Sequence, residues 1–183
     1  MQGSAHHELL LRPLRAEDAQ ALSLSFSAIG WTKPEAGFTK YLQEQEEGER
    51  WVRVAEVDEQ AAGYVTLKWD SPDPVFQRLG VPELMDLNVL PPFRRRGIGT
   101  ALIEAAEIEA SRRGPTIGLR MGLHSGYGAA QRLYVRRGYL PDGAGAVLHG
   151  EVVAEGATVS LDDDLSLRLT RDVSGMRGTN GST

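Results

Sequence analysis

The sequence predicts an α/β (α+β) fold, with a mixed central sheet of six to seven strands flanked by about four helices. Three observations carry that expectation. The chain has 183 residues, within the range of one domain. Its apolar fraction, 41% before glycine is counted, is enough for a sizeable core. Runs of β-formers alternate with segments whose apolar residues recur at helical spacing, in strand–helix–strand order through the middle of the chain. A single domain is expected over residues 9–172, with 1–8 as an N-terminal extension and 173–183 as a disordered polar tail.

Residues 9–15 read as a first strand, with Pro13 tolerable at an edge. Glu17 and Asp18 favour the start of a helix, where acids offset the dipole. Leu22, Phe26 and Ile29 give it an apolar stripe, and Gly30 ends it. A second helix follows Pro34 with Phe38, Tyr41 and Leu42 inward; the acidic run 44–49 reads as its solvated end. Trp51, Val52, Val54 and Val57 mark a strand, 58–60 a turn and 62–69 the return strand of a hairpin. The proline-rich stretch 70–82 reads as a loop. Residues 84–90 form a strand stopped by Pro91 and Pro92. The helix 97–113 places Ile98, Leu102, Ala105 and Ile108 on one face and stops at Gly114 and Pro115. Residues 116–123 are a further strand. Residues 129–137 are a helix with Ala130, Leu133 and Tyr134 on one face, closed by Gly138. The last strands are 139–153 and 165–169.

Composition excludes several classes of function. Without cysteine there is no disulfide scaffold, thiol nucleophile or thiolate metal site. The net charge of −5 disfavours a general nucleic-acid binder. No apolar run approaches the ~20 residues of a membrane span. The first residues lack the basic and apolar segments of a signal peptide, so a soluble, cytoplasmic protein is expected. Lys33, Lys40 and Lys68 are the only lysines and none follows a glycine, which rules out a G-x-x-x-x-G-K-[ST] phosphate loop. His6, His7 and His149 are too scattered for a metal site, and no metal is expected.

The chemistry concentrates in residues 85–100. A strand runs through a tight turn and an Arg cluster into glycines and a helix start. Free N–H groups and the dipole make such a start partly positive. Gly97 and Gly99 permit close approach to the backbone, and Arg94, Arg95 and Arg96 add fixed charge. Together they form an anion site suited to a pyrophosphate. Leu102 stands where a dinucleotide fingerprint needs its third glycine, so a Rossmann reading is poor. The bland alternative is a solvated Arg cluster leading into an ordinary helix.

Val89-x-Pro91-x-x-Arg94-x-x-Gly97-x-Gly99 resembles motif A of the GNAT superfamily of acetyl-CoA-dependent N-acetyltransferases. Ala130-x-x-Leu133-Tyr134-x-x-x-Gly138-Tyr139 resembles the family's motif B. One helix and one strand lie between the two, as in the family, and residues 11–18 resemble its opening strand and helix. The resemblance implies acetyl-CoA as co-substrate and direct transfer to a primary amine in a ternary complex. Leu87, Asn88 and Val89 would offer strand backbone to the pantetheine arm. Arg95, Arg96, Gly97, Ile98, Gly99 and Thr100 would hold the pyrophosphate, and Tyr134 would protonate the leaving thiolate. Tyr139 reads as a core or rim aromatic.

Two positions depart from the family pattern. Tyr127 stands three residues before Ala130, where the family often has a pantetheine-binding Asn. Gly122 stands where some members carry a catalytic Glu. A base must therefore come from elsewhere, because an alkylamine is mostly protonated near neutral pH. Glu83, Asp86 and His124 are the candidates; Glu83 matches the position used by histone-acetylating members. Trp31, Tyr64, Trp69 and Asp70 fall where the family builds its acceptor pocket, and read equally as core and loop residues. The acceptor itself is unreadable, and a homodimer is a family-level expectation. The alternative function is a non-catalytic module, binding acyl-CoA or gripping nucleic acid through Arg94–Arg96 with Arg112 and Arg113.

Overall fold

A computed structural model describes residues 8–176. Among the described residues are eight strands and five α-helices, against the six to seven and four expected. The chain divides into two compact units, Met1–Leu67 with Asp86–Ala106, and Lys68–Met85 with Glu107–Thr183. Residues 1–7 and 177–183, and with them His6, His7 and most of the expected tail, lie outside the described residues.

In the first unit, β1 (Leu9–Arg12) pairs antiparallel with β2 (Arg50–Val57), Leu9 opposite Val57 and Arg12 opposite Val54. β1 is shorter than the 9–15 expected. Pro13 has no N–H for the ladder, and the amide of Arg15 already serves the next helix by donating to Asp18 (2.7 Å). α1 (Ala16–Ser27) and α2 (Glu35–Glu46) follow, flanking Gly30 with its left-handed φ of +78°. Leu14, Leu22, Phe26, Phe38, Val52, Val54, Tyr64 and Leu90 pack into this unit's core. Each large side chain buried there contributes about 1.5–3 kcal/mol. Asp58 and Glu59, both at positive φ, turn β2 into β3 (Gln60–Lys68), a pair of left-handed residues that matches strand twist. The run 44–49 is not uniformly solvated. Glu44 is buried and paired with Arg50, whose Nη1 also donates to Thr66 (2.8 Å). These strands are hydrogen-bonded in the order β1-β2-β3, followed by β4 (Glu83–Val89), whose C-terminal half belongs to this unit.

The second unit holds the N-terminal half of β4, then β5 (Thr116–Gly122), β8 (Leu165–Asp172), β6 (Leu140–Leu148) and β7 (Glu151–Val152) in that order. β5 runs parallel to β4, Glu83 opposite Gly118, and antiparallel to β8, so the sheet is mixed as expected. The expected loop 70–82 contains α3 (Pro74–Leu79). Asp73 caps it by accepting from the amides of Val75 (2.9 Å) and Phe76 (3.3 Å), and Gly80 at φ +64° closes it. The expected strand 139–153 is instead a hairpin, folded at His149 and Gly150, which are both at positive φ.

α4 (Ile98–Arg113) runs from one unit into the other, and its buried face is rotated from the expected one. Ile103, Ala106, Glu107, Ala110 and Ser111 are buried with Ile98 and Leu102, whereas Ala105 and Ile108 are half-exposed. Glu107 tolerates burial because Arg137 and Arg171 both pair with it. α5 (Gly128–Arg136) completes the second unit.

Candidate active site

Pro91 and Pro92 stop β4 and form a single 3-10 turn, in which the Arg94 amide donates to the Pro91 carbonyl (3.2 Å). Arg95 (φ +59°) and Gly97 (φ +80°) are both left-handed and carry the chain from the turn into the start of α4. The first backbone bond of α4 runs from the Ala101 amide to the Gly97 carbonyl (3.0 Å). The amides of Ile98, Gly99 and Thr100 precede it and have no backbone acceptor among the described residues. A Cβ at Gly97 would meet nothing within 4 Å, so glycine is needed there for its φ and not for space. Such a cradle of open amides at the positive end of a 16-residue helix fits a diphosphate.

The three arginines do not behave alike. Arg94 donates from Nε to the Val89 carbonyl (3.0 Å), and its guanidinium lies 5.4 Å from the Trp31 ring centre. It therefore braces the strand end. Arg96 lies over Phe93 at 5.7 Å, and Arg95 and Arg96 are both exposed. Along Leu87, Asn88 and Val89, the Asn88 carbonyl approaches β3 so closely that a Cβ at Gly63 would stand 2.4 Å from it. Asn88 Nδ2 also donates to the Tyr64 hydroxyl (3.3 Å). Gly63 is absent from the residues that sequence reasoning nominates; a glycine inside a strand is the signal for such an approach.

Asp86 adopts a left-handed φ of +47° within β4, an irregularity that breaks the strand's alternation. Its carboxylate accepts from the Tyr41 hydroxyl and from Lys33 Nζ (3.0 Å). These three residues line a cavity of about 240 Å³ together with Thr32, Phe38 and Tyr64. Lys33 Nζ lies 5.8 Å from the Tyr64 ring centre, and Phe38 meets Tyr64 edge-on at 5.2 Å. Burial, then the Asp86 charge, hold the Tyr41 and Tyr64 hydroxyls well above the usual phenol range. Both rings therefore stay neutral donors. Tyr64 is thus part of the cavity, and Trp31 stacks on Phe26 beside it at 5.8 Å. The sequence marks Tyr41 only as inward on α2 and nominates neither it nor Lys33 for the site, because they reach Asp86 across separations of 45 and 53 residues.

The other candidates belong to the second unit. Glu83 is 1% exposed, with Oε2 accepting from Ser71 (2.6 Å) and Oε1 from Arg120 (2.8 Å). Both oxygens are committed to structure. His124 Nε2 lies 2.8 Å from Asp163, while its Nδ1 accepts from the Gly126 amide (3.1 Å). Trp69 stacks on Arg113 at 3.6 Å, and Asp70 accepts from Gln77 (3.3 Å), so neither lines the cavity. Tyr134 is buried on α5, and burial, with Tyr127 adding to it, raises its hydroxyl well above the phenol range. Ala130 is half-buried one turn earlier, and Tyr139 is a core residue at 5.8 Å from Tyr134.

The two departures in this unit are one packed feature. A Cβ at Gly122 would stand 2.4 Å from the Tyr127 ring, which also meets His124 edge-on at 4.9 Å. The larger residue at 127 requires the smaller one at 122. Among the described residues no group of three or more His, Asp or Glu could hold a metal, and no helix is long and apolar enough to cross a membrane.

Comparison with known proteins identifies the family. Residues 15–139 match the acetyltransferase (GNAT) family. An uncharacterized N-acetyltransferase of Archaeoglobus fulgidus is 46% identical over 57 residues, or 30% of this chain and 37% of that protein. The match therefore spans little more than a third of that relative's length. An N-acetyltransferase from Staphylococcus aureus Mu50 superimposes with a TM-score of 0.67 at 18% identity, covering 91% of this chain and 99% of that one. An N-acetyltransferase from Thermoplasma acidophilum in complex with coenzyme A gives 0.60 at 14% identity, covering 90% and 99%. At these identities the solved structures speak for the fold. The family match extends over well more than half of the sequence, and the chain belongs to the acetyltransferase (GNAT) family.

Proposed function

We propose that the protein, through a domain spanning residues 9–172, transfers an acetyl group from acetyl-CoA directly to a primary amine in a ternary complex. One observation carries this reading. A single strand–turn–helix presents an open amide cradle after Arg94 and, a few residues earlier, a carboxylate at the wall of an aromatic cavity.

Acetyl-CoA supplies the activated acetyl group. The amides from Arg95 to Thr100 hold its diphosphate, and Leu87, Asn88 and Val89 give its pantetheine arm a strand edge. Arg94 sits on the Val89 carbonyl, so that pairing must be exchanged or avoided when the arm binds. Asp86 takes the proton from the acceptor's ammonium, a role favoured over Glu83 because Asp86 lines the cavity with its side chain 31% exposed, whereas Glu83 is 1% exposed and absent from the cavity wall. Tyr134, kept protonated by burial, has its proton available for the leaving thiolate. Tyr127 and Ala130 contribute ring and methyl contacts in place of the family's Asn. A cavity of about 240 Å³ lies below the usual range for drug-sized ligands, which suits a small amine or the end of a longer one.

A panel of primary amines, assayed for CoA release, tests the reading. Release should depend on the amine, and Tyr134→Phe should lower kcat about 10²–10⁴-fold with CoA affinity nearly unchanged. CoA binding without amine-dependent release for any acceptor would instead favour a non-catalytic acyl-CoA module.

A further inference from the structure

The place where an acceptor amine would sit already holds one. Lys33 Nζ lies 3.0 Å from Asp86 Oδ1, in the wall of the cavity that both residues line with Phe38, Tyr41 and Tyr64. It is one of three lysines in a chain whose other 17 basic residues are arginine. All of these groups belong to the first unit, with the amide cradle and the Leu87–Val89 edge. We infer that Lys33 is itself an acetyl acceptor, and that the chain acetylates its own Lys33 side chain. The inference rests on the acetyltransferase reading given above and goes beyond it by naming a modification site.

The geometry meets the needs of the reaction. The lysine stem enters from the segment between α1 and α2, just ahead of Pro34, whose fixed φ limits the ways the segment can place it. Lys33 is held on the carboxylate assigned as base, and its side chain keeps 26% of its exposure, so it is neither sealed nor free. Lys33 Nζ gives one proton to Asp86 and forms the C–N bond to the acetyl carbon. The thioester C–S bond breaks, and the second departing proton ends on the sulfur as free CoA thiol. The side chain is left as a neutral amide. Asp86 releases the proton it took to solvent, has lost its ion-pair partner, and is again a carboxylate available to the ammonium of an external amine.

Spontaneous chemistry would give a different pattern. Lys40 is exposed, whereas Lys33 is ion-paired and partly buried. Non-enzymatic acetylation should therefore favour Lys40.

The full chain is incubated with acetyl-CoA alone, followed by intact mass and peptide mapping with a protease specific for Glu, because the Lys33–Pro34 bond resists trypsin. The expected result is a gain of one acetyl group at Lys33, at a first-order rate independent of protein concentration. Lys33→Arg, which keeps the positive charge, should lose the gain. Lys40→Arg should keep it, and Asp86→Asn should slow it at least tenfold. Acetyl spread over Lys33 and Lys40 alike, or a rate unchanged by Asp86→Asn, overturns the inference. Amine-dependent CoA release with Lys33 unmodified also overturns it, and leaves the acetyltransferase reading standing. Neither self-acetylation nor release with any amine would end both.

Discussion

Glu83 and Asp86 stand three residues apart on β4, and both are acids that a sequence nominates equally as a base. Their surroundings separate them. Glu83 is 1% exposed, and Ser71 and Arg120 occupy its oxygens. The Asp86 side chain keeps 31% of its exposure, sits on a left-handed kink, and shares a cavity with a lysine and three aromatic rings. The first carboxylate is satisfied by fixed partners and belongs to the fold. The second is held by two partners that a substrate ammonium can replace or supplement. Carboxylate identity is the same in both; what differs is whether the partner is a fixed neighbour or one an incoming group can displace.

The largest effect expected from this contrast is on Asp86. Asp86→Asn should lower kcat by about 10²–10⁴, or roughly 3–5 kcal/mol on the barrier, with the thermal midpoint nearly unchanged. Glu83→Gln should do the reverse. Its loss of a charged partner for Arg120 should cost about 1–3 kcal/mol of stability, with kcat of the folded enzyme close to the wild-type value. Steady-state kinetics beside chemical denaturation would separate them, and a swapped pattern would break the comparison.

A smaller effect concerns the Gly122–Tyr127 pair. Gly122→Ala should cost about 1–2 kcal/mol, since the added Cβ would have to displace the Tyr127 ring. In a Tyr127→Asn background the same change should cost almost nothing. A double-mutant cycle in denaturant measures the coupling, and additive costs would dissolve the pairing of these two positions.

The smallest effect is pH-linked. Burial raises the Tyr64, Tyr134 and Tyr139 hydroxyls above their unfolded value, so the folded state keeps protons that the unfolded state releases. Stability from this source is complete below a pH of about 10 and falls above it, by at most about 1.4 kcal/mol per tyrosine per pH unit. Denaturation midpoints between neutral and alkaline pH should show the decline, with a shallower slope in Tyr64→Phe. A flat profile would mean that these phenols ionise as readily in the fold as outside it.

Legibility in the sequence follows locality. The strand–turn–helix at 84–113 is readable because prolines, glycines and apolar spacing act within a few residues. α3 escapes the sequence reading although its signals, Asp73, Pro74 and Gly80, are equally local; the prolines draw the reading toward a loop. The hairpin at His149 and Gly150 is hidden by strand-forming residues on both sides. The buried face of α4 and the inward turn of Glu44 are illegible because a charged residue reads as solvent-facing. Arg50, six residues on, removes that penalty at Glu44, and Arg137 with Arg171, 30 and 64 residues on, remove it at Glu107. The amide cradle is legible for the first reason, and the Lys33–Tyr41–Asp86 cluster is illegible for the second.

The backbone amides at the start of α4 are expected to bind the diphosphate of coenzyme A. Calorimetric titration of CoA into Gly97→Val tests it most directly. Open space surrounds the Cβ position, so valine there disturbs the left-handed backbone and little else. CoA affinity should fall at least tenfold with the circular dichroism spectrum unchanged. Wild-type affinity in the folded variant would contradict it.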